Sequence, residues 1–226
     1  SDAKGTTVWR KDTSREVLDA RGKTDFIDGQ LGKSYGYQWR HSGAVWSPKG
    51  ENSEQPVGGR DQIVDIIDRL RSKRDSRRAL LASWVPADID ECALPPCHVA
   101  AHFSILGGRL NCTVFQRSAD YFLGVPWNIA SYGLLTLLLA REIGVNAGEL
   151  NMSFADSHIY ANHLAAVVEQ LTGNRPISTS HRVVYEGQRT VGEGTFDHED
   201  VLNYTLKDYK SAPGAPLTAE MVASTD

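Results

Sequence analysis

Leu94-Pro95-Pro96-Cys97-His98 places a cysteine directly after a double-proline bend. A thiol attacks as its thiolate, so it needs a nearby cation or a helix terminus to lower its pKa. Gln116-Arg117-Ser118-Ala119-Asp120 supplies a guanidinium fork and a hydroxyl, the pair that suits a phosphate, followed by a carboxylate. Leu123-Gly124-Val125-Pro126-Trp127-Asn128-Ile129-Ala130-Ser131-Tyr132 sets an amide among apolar residues. An amide donates and accepts at once, which suits a uracil edge presenting C=O beside N–H. Together these are parts for covalent chemistry on a pyrimidine nucleotide.

Each residue also has a plainer use. A lone cysteine is ordinarily a small buried hydrophobe. Cys112 alternates with Leu110 and Val114 as a strand residue facing a core would, and Cys92 reads as structural. Arg77-Arg78, after Asp75-Ser76, would by itself be a solvated turn. Asn128, ahead of an apolar run, would by itself be a helix cap. His158, Tyr160 and His163 follow no common zinc spacing and lack an obvious carboxylate partner, so no metal is expected and His163 reads as structural.

The elements that must position these residues are legible from periodicity. Ile63, Ile66, Ile67 and Leu70 fall at helical spacing, which predicts an amphipathic helix over residues 61–74. Short strands are expected over 79–85 and 150–154, and paired strands over 98–106 and 109–116 around Gly107-Gly108. Residues 128–143 are apolar on nearly every side, which predicts a central buried helix closed by Gly144. Leu164, Val167, Val168 and Leu171 mark a helix ending at Gly173, and strands are expected over 181–185 and 201–206. Residues 43–59, rich in Gly, Ser and Pro, read as an exposed loop. Strands and helices interleave without regular βαβ spacing, so pattern alone gives an α+β domain.

The 226 residues carry 24 Lys+Arg against 28 Asp+Glu, a net charge of -4, so no basic excess points to nucleic acid. No apolar run is of membrane-spanning length, and no signal-peptide core opens the chain. Cys92, Cys97 and Cys112 are an odd set without CxxC spacing, so a disulfide framework is not expected and a reducing compartment, the cytoplasm, is.

Six strings together are similar to the thymidylate synthase family. They are Tyr35-Gly36-x-Gln38-Trp39-Arg40, Asp75-Ser76-Arg77-Arg78, Pro95-Pro96-Cys97-His98, the Gln116–Asp120 string, the Leu123–Tyr132 string, and Asp156-Ser157-His158-Ile159-Tyr160-x-Asn162-His163. The resemblance runs in the family's order from about Val8 to about Tyr209. It implies a single domain over residues 1–226, with a large twisted mixed sheet flanked by helices and sheets packed back to back in a homodimer.

It also implies reductive methylation of dUMP to dTMP with 5,10-methylenetetrahydrofolate as co-substrate. The catalytic set would be Cys97, which adds to pyrimidine C6, with Tyr35, Arg117 and Asp120. Gln116, Arg117, Ser118, Asn128, His158 and Tyr160 would bind the nucleotide, together with Arg77 and Arg78 reaching in from the neighbouring subunit. His158 and Tyr160 would hold the deoxyribose hydroxyl. An amide at Asn128, where a carboxylate accompanies cytosine, favours dUMP over dCMP. Trp9, Asp120 and Gly124 would face the reduced folate.

Departures from the family pattern cluster on the folate side. Asp12 stands where a second tryptophan usually follows Trp9, Ser153-Phe154-Ala155 replaces a glycine-rich approach to the ribose, and Trp127 replaces a phenylalanine. The stretch 215–226 lacks the usual short valine-ended tail. The family segment ahead of Val8, with another phosphate-binding arginine and a glutamate that organises the water network, has no counterpart in these residues. Two other readings therefore stand beside methylation: a hydroxymethyltransferase in which water traps the methylene, and a non-catalytic nucleotide-binding relative.

Overall fold

The computed structural model describes residues 9–50, 52–53, 55–173, 182–187, 196, 201 and 203–207. Val8, His181, Tyr209 and residues 215–226 lie outside the described residues. A four-stranded sheet in the order β1-β2-β3-β4 forms the frame. It comprises β1 (Leu80–Ala82), β2 (His98–Leu106), β3 (Arg109–Asp120) and β4 (Asn146–His158). The pairings β1–β2 and β2–β3 are antiparallel, and β3–β4 is parallel. A separate antiparallel ribbon pairs β5 (Arg182–Tyr185) with β6 (Tyr204–Lys207). The fold class is α+β with a mixed sheet, as expected.

The β2–β3 hairpin turns at Gly107 and Gly108, whose φ values of 56° and 76° match the tight turn that a right-twisted pair of strands prefers. β3 alternates cleanly: Leu110, Cys112, Val114 and Gln116 are buried while Arg109, Thr113 and Phe115 are exposed. Cys112 is thus a core residue, with its thiol pushed up to about 12 by burial. Parallel pairing of β3 with β4 requires a crossover, and α4 (Gly124–Ile143) provides it.

α3 (Gln62–Ser72) packs against α4 and β1. Its N-terminus is capped by Asp61, whose carboxylate accepts from the Ile63 and Val64 N–H groups, each at 3.0 Å. Ile63, Ile66, Ile67 and Leu70 join Leu81, Phe103, Leu110, Val114, Tyr132 and Leu139 in one core. Leu18, Phe26 and Ala93 form a smaller cluster beneath α1 (Arg15–Ala20).

Several boundaries differ from the periodic reading. The first strand is only three residues long, because Ser83 and Trp84 both bend back to the Val99 carbonyl. β3 continues to Asp120 and β4 covers 146–158, because parallel pairing extends regularity beyond the apolar stretch that signals it. α4 begins four residues early, at Gly124, so Asn128 sits inside the helix rather than capping it. That helix is buried chiefly in its C-terminal half; Trp127, Ile129, Ala130 and Ser131 are exposed. Gly144 closes it at φ 76°. Val201 is helical rather than extended, and the last strand starts at Tyr204. α2 (Tyr35–His41) had no periodic signature at all. The described residues of 43–59 form a largely exposed loop pinned at its neck by reciprocal Val45–Val57 hydrogen bonds and a Ser42–Arg60 bridge.

Candidate active site

Strand register brings most of the chemistry to one edge of the sheet. His98 pairs with Gln116, Ser118 with Asp156, and Asp120 with His158. The Gln116–Asp120 string and the His158 end of β4 therefore lie side by side at the carboxyl ends of two parallel strands, the place where open sheets hold ligands. The second turn of α4 carries Asn128 over the same edge, and Cys97 stands one residue ahead of β2.

Cys97 is half-buried and held through its backbone. Its N–H donates to the Tyr35 hydroxyl at 2.6 Å, and its carbonyl accepts from Arg117 N–H at 2.8 Å. Arg117 Nε and an Nη also donate to the Pro96 and Pro95 carbonyls at 3.0 and 3.1 Å, while the guanidinium lies 5.2 Å from the centre of the Trp84 ring. Two prolines leave this segment few conformations, and the arginine occupies both of their carbonyls. Burial pushes the Cys97 thiol up; Arg117 and the Tyr35 hydroxyl draw it down, and Asp12 adds a smaller push upward. Burial likewise holds the Tyr35 phenol far above its ordinary range, so it is a neutral donor at any physiological pH.

Behind the cysteine runs a polar network embedded in the core. Gln116 Nε2 donates to the Ser118 carbonyl at 2.8 Å and to Asn128 Oδ1 at 3.1 Å. Asn128 Nδ2 donates to His98 Nε2 at 2.9 Å, so the His98 proton sits on Nδ1 and faces the Tyr132 hydroxyl at 3.3 Å. The His98 ring stacks on Tyr35 with centroids 4.5 Å apart. Burial takes the imidazole down to about 4, so it is neutral at pH 7. One lone pair and one N–H of the Asn128 amide stay available, as does Gln116 Oε1, which has no hydrogen-bond partner among the described residues.

The other expected residues fall into two groups. Trp9, Asp120 and Gly124 come together: a Cβ on Gly124 would stand 3.3 Å from Asp120 Cβ and 3.6 Å from the Trp9 ring. Asp120 Oδ1 caps Leu123 N–H at 3.2 Å and lies 3.6 Å from His163 Nδ1, while Oδ2 is buried without a partner among the described residues. His163 is fully buried and stacks edge-on with Tyr160, which in turn meets His158 at 5.0 Å. His158 Nδ1 lies 3.1 Å from Asp156.

Arg77 and Arg78, in contrast, are not brought to Cys97. Both are exposed ahead of β1, with the Arg77 carbonyl 3.3 Å from His102 Nε2. Arg78 lines a different cavity, of about 290 Å³, with Ser42, Arg60, Asp65, Arg69 and Leu80. Among the described residues no cluster of His, Cys, Asp and Glu could hold a metal ion, and no helix is long and apolar enough to cross a membrane.

Residue-type reasoning did not single out His98, Tyr132 or Trp84. His98 and Tyr132 lie inside strings rich in candidate chemistry, but nothing local distinguishes a buried neutral imidazole from a solvated one. Asp12 stood out only as a departure from the family pattern; its pairing with Arg21 had no local signal, because it spans nine residues across two short helical turns.

The thymidylate synthase family model matches residues 2–223. The chain is 42% identical over 220 residues to thymidylate synthase of Ascaris suum, covering 97% of this chain and 71% of that protein. It is 38% identical over 212 residues to a bifunctional dihydrofolate reductase-thymidylate synthase of Paramecium tetraurelia, and 43% identical over 168 residues to one of Arabidopsis thaliana. It spans 44% and 32% of those longer proteins. A match along nearly the whole chain, on a mixed sheet whose edge gathers the cysteine, the arginine and the amide of the shared strings, places this protein in the thymidylate synthase family.

Proposed function

We infer that this chain catalyses reductive methylation of dUMP to dTMP, using 5,10-methylenetetrahydrofolate as one-carbon and hydride donor. The observation that carries this is the convergence of a half-buried cysteine, an arginine locked to its approach segment, and an amide with spare donor and acceptor capacity at one sheet edge. Cys97 thiolate adds to C6 of the uracil, and C5 becomes the nucleophile that takes the methylene carbon. Loss of the C5 proton, assisted by Tyr35 and ordered water, releases an exocyclic methylene. That release breaks the bond between the methylene carbon and the folate nitrogen; hydride from the tetrahydrofolate so freed then reduces the methylene to methyl, giving dihydrofolate, as the Cys97 thiolate leaves C6 and the C5–C6 double bond of dTMP re-forms. The Arg117 charge favours the thiolate and, once a nucleotide is seated, meets the phosphate with Ser118. Holding both substrates at the sheet edge supplies much of the rate.

Asn128 and Gln116 read the pyrimidine edge, with His98 holding the amide in one orientation. His158 and Tyr160 take the deoxyribose hydroxyl. Trp9, Asp120 and Gly124 face the folate, and their mutual contact supports that assignment. Arg77 and Arg78 serve the phosphate of a neighbouring subunit in a homodimer. Their exposure, and their distance along β1 from the Cys97 edge, support this. So does the uncovered outer sheet face bearing Leu80, Thr113, Phe115 and Ser153. One domain over residues 1–226, working in the cytoplasm without membrane or nucleic-acid partners, accommodates these roles.

A second reading, hydroxymethyl transfer to dUMP, is favoured by Asp12, a buried carboxylate where the family usually has an aromatic. The product mass from dUMP and 5,10-methylenetetrahydrofolate decides. A gain of one methylene supports methylation. Hydroxymethyl product favours the second reading, and unchanged dUMP from folded protein overturns both.

A further inference from the structure

Arg117 differs from other arginines of the frame in what holds it. Arg21, Arg40 and Arg71 pair with the carboxylates of Asp12, Asp61 and Glu142 at 3.2, 2.7 and 3.4 Å. Arg117 pairs with no carboxylate among the described residues. Its Nε and one Nη donate to the Pro96 and Pro95 carbonyls, and its backbone N–H donates to the Cys97 carbonyl. The other N–H groups of the fork meet no partner among the described residues. A guanidinium held only by neutral groups keeps its whole charge for a ligand. Hydrogen bonds along one edge, however, do not by themselves fix the tilt of its plane.

The aromatic ring against this guanidinium is that of Trp84, whose centre lies 5.2 Å from the guanidinium carbon. That is within the reach at which the negative face of an indole attracts a cation. Trp84 is itself held, at the bend where the chain leaves β1. The Ser83 and Trp84 N–H groups both donate to the Val99 carbonyl, at 2.9 and 3.2 Å. Trp39 Nε1 donates to the Ser83 hydroxyl at 2.8 Å, and Ser83 is buried. Val85 is extended, at φ -114° and ψ 108°, the conformation that the following Pro86 favours. Val99 belongs to β2 just beyond Cys97 and His98, so the bend that carries the indole and the loop that carries the cysteine share an anchor.

We propose that Trp84 is a positioning residue for Arg117: its ring covers the guanidinium on one side and holds the plane, so that the N–H groups not taken by Pro95 and Pro96 are presented together to the nucleotide phosphate. The ring consumes none of the in-plane donors and cancels none of the charge, both of which a carboxylate partner would do. Trp84 acts through Arg117, so this deepens the reading of Arg117 as a phosphate contact and rests on it.

The test compares equilibrium binding of dUMP with that of deoxyuridine, which lacks the phosphate, on the full chain, with circular dichroism confirming the fold of each variant. Trp84→Leu and Trp84→Phe both shrink the side chain, and only Phe keeps a ring face. Trp84→Leu is expected to weaken dUMP binding about fivefold or more while deoxyuridine binding stays within about twofold of the parent. Trp84→Phe is expected to stay nearer the parent than Trp84→Leu does. Equal weakening by Leu and Phe would assign the effect to lost volume and overturn the proposal. Equal losses for dUMP and deoxyuridine would overturn it too, and so would unchanged dUMP binding in Trp84→Leu. If Trp84→Leu does not fold, site-specific replacement of Trp84 by a difluorinated tryptophan keeps the shape and weakens the negative ring face. The affinity for dUMP should then fall, and an unchanged value overturns the proposal. Arg117→Gln separates the two claims. If it binds dUMP as the parent does, the reading of Arg117 as a phosphate contact fails; a loss there with none in the Trp84 variants removes the positioning role alone.

Discussion

At the scale of single residues, function turns on how buried polar groups are partnered. Cys97→Ser removes the nucleophile but leaves the arginine, serine and amide contacts. It is expected to lose turnover by at least about a thousandfold while dUMP affinity stays within about tenfold, as separate kinetic and calorimetric measurements would show. Substantial residual turnover sinks the assignment of Cys97. Asn128→Asp keeps the acceptor for Gln116 but loses the donor to His98, and it presents an acceptor-only edge to the base. Competition assays should show the kcat/KM ratio moving toward dCMP by about tenfold or more; an unchanged ratio removes Asn128 from base selection.

His98 gives a pH signature. Its ordinary value of 6.5 falls to about 4 on folding. The unfolded chain therefore binds the proton more readily, and the contribution of neutral His98 is complete above 6.5 and lost as pH falls toward 4. His98→Gln keeps donor and acceptor capacity but cannot titrate. Between pH 6.5 and 4, denaturant melts of this variant should lose about 3 kcal/mol less stability than the parent. Parallel losses in the two proteins would mean that His98 does not titrate in that window.

At the scale of elements, α3 is the clearest case of local chemistry building a scaffold. Asp61 caps two N–H groups, and the helix then delivers four aliphatic side chains to the core. Asp61 also pairs with Arg40 of α2 at 2.7 Å, and so ties α3 to the helix that begins with Tyr35. Asp61→Ala should cost about 1–2 kcal/mol in denaturant unfolding, most of it from the cap, because the Arg40 pair is part-exposed and contributes little. A change below a few tenths of a kcal/mol would show that the cap is replaced by other acceptors. The longer elements serve the site differently. β3 and β4 hold Gln116–Asp120 beside 156–158 by parallel register, so a one-residue slip would turn Gln116 out of the core and separate the polar network.

At the scale of the whole molecule, a single chain leaves Arg77 and Arg78 away from the Cys97 edge. Shared sites in a homodimer give them a function. Cys97→Ser and Arg78→Ala chains are each expected to be inactive or weak alone. After verified subunit exchange, one of the two sites in a mixed dimer combines an intact Cys97 with an intact partner arginine, and partial activity should return. No recovery from folded parents would overturn the shared site. Loss of Arg78 should appear mainly as weaker dUMP binding, because a guanidinium–phosphate contact is charge-assisted and made in the ground state as well as in the transition state.

What sequence alone determined here was local. Ile63, Ile66, Ile67 and Leu70 could only be a helix face, Gly107-Gly108 could only turn a hairpin, and Cys97, Arg117 and Asn128 announced their chemistry by type and family spacing. The tertiary structure decided what depends on distant segments meeting. Periodicity cannot show that Asn128 lies inside a helix against His98, because a cap and a buried residue of the second turn both stand ahead of the same apolar run. It cannot show that β4 is parallel and thirteen residues long, because pairing partners, not side-chain alternation, extend it. Nor can it show that Asp12 is buried against Arg21, because a charge looks solvated until a fold supplies its partner. Burial, and with it the neutral state of His98 and the poise of the Cys97 thiol, is a property of the assembled core.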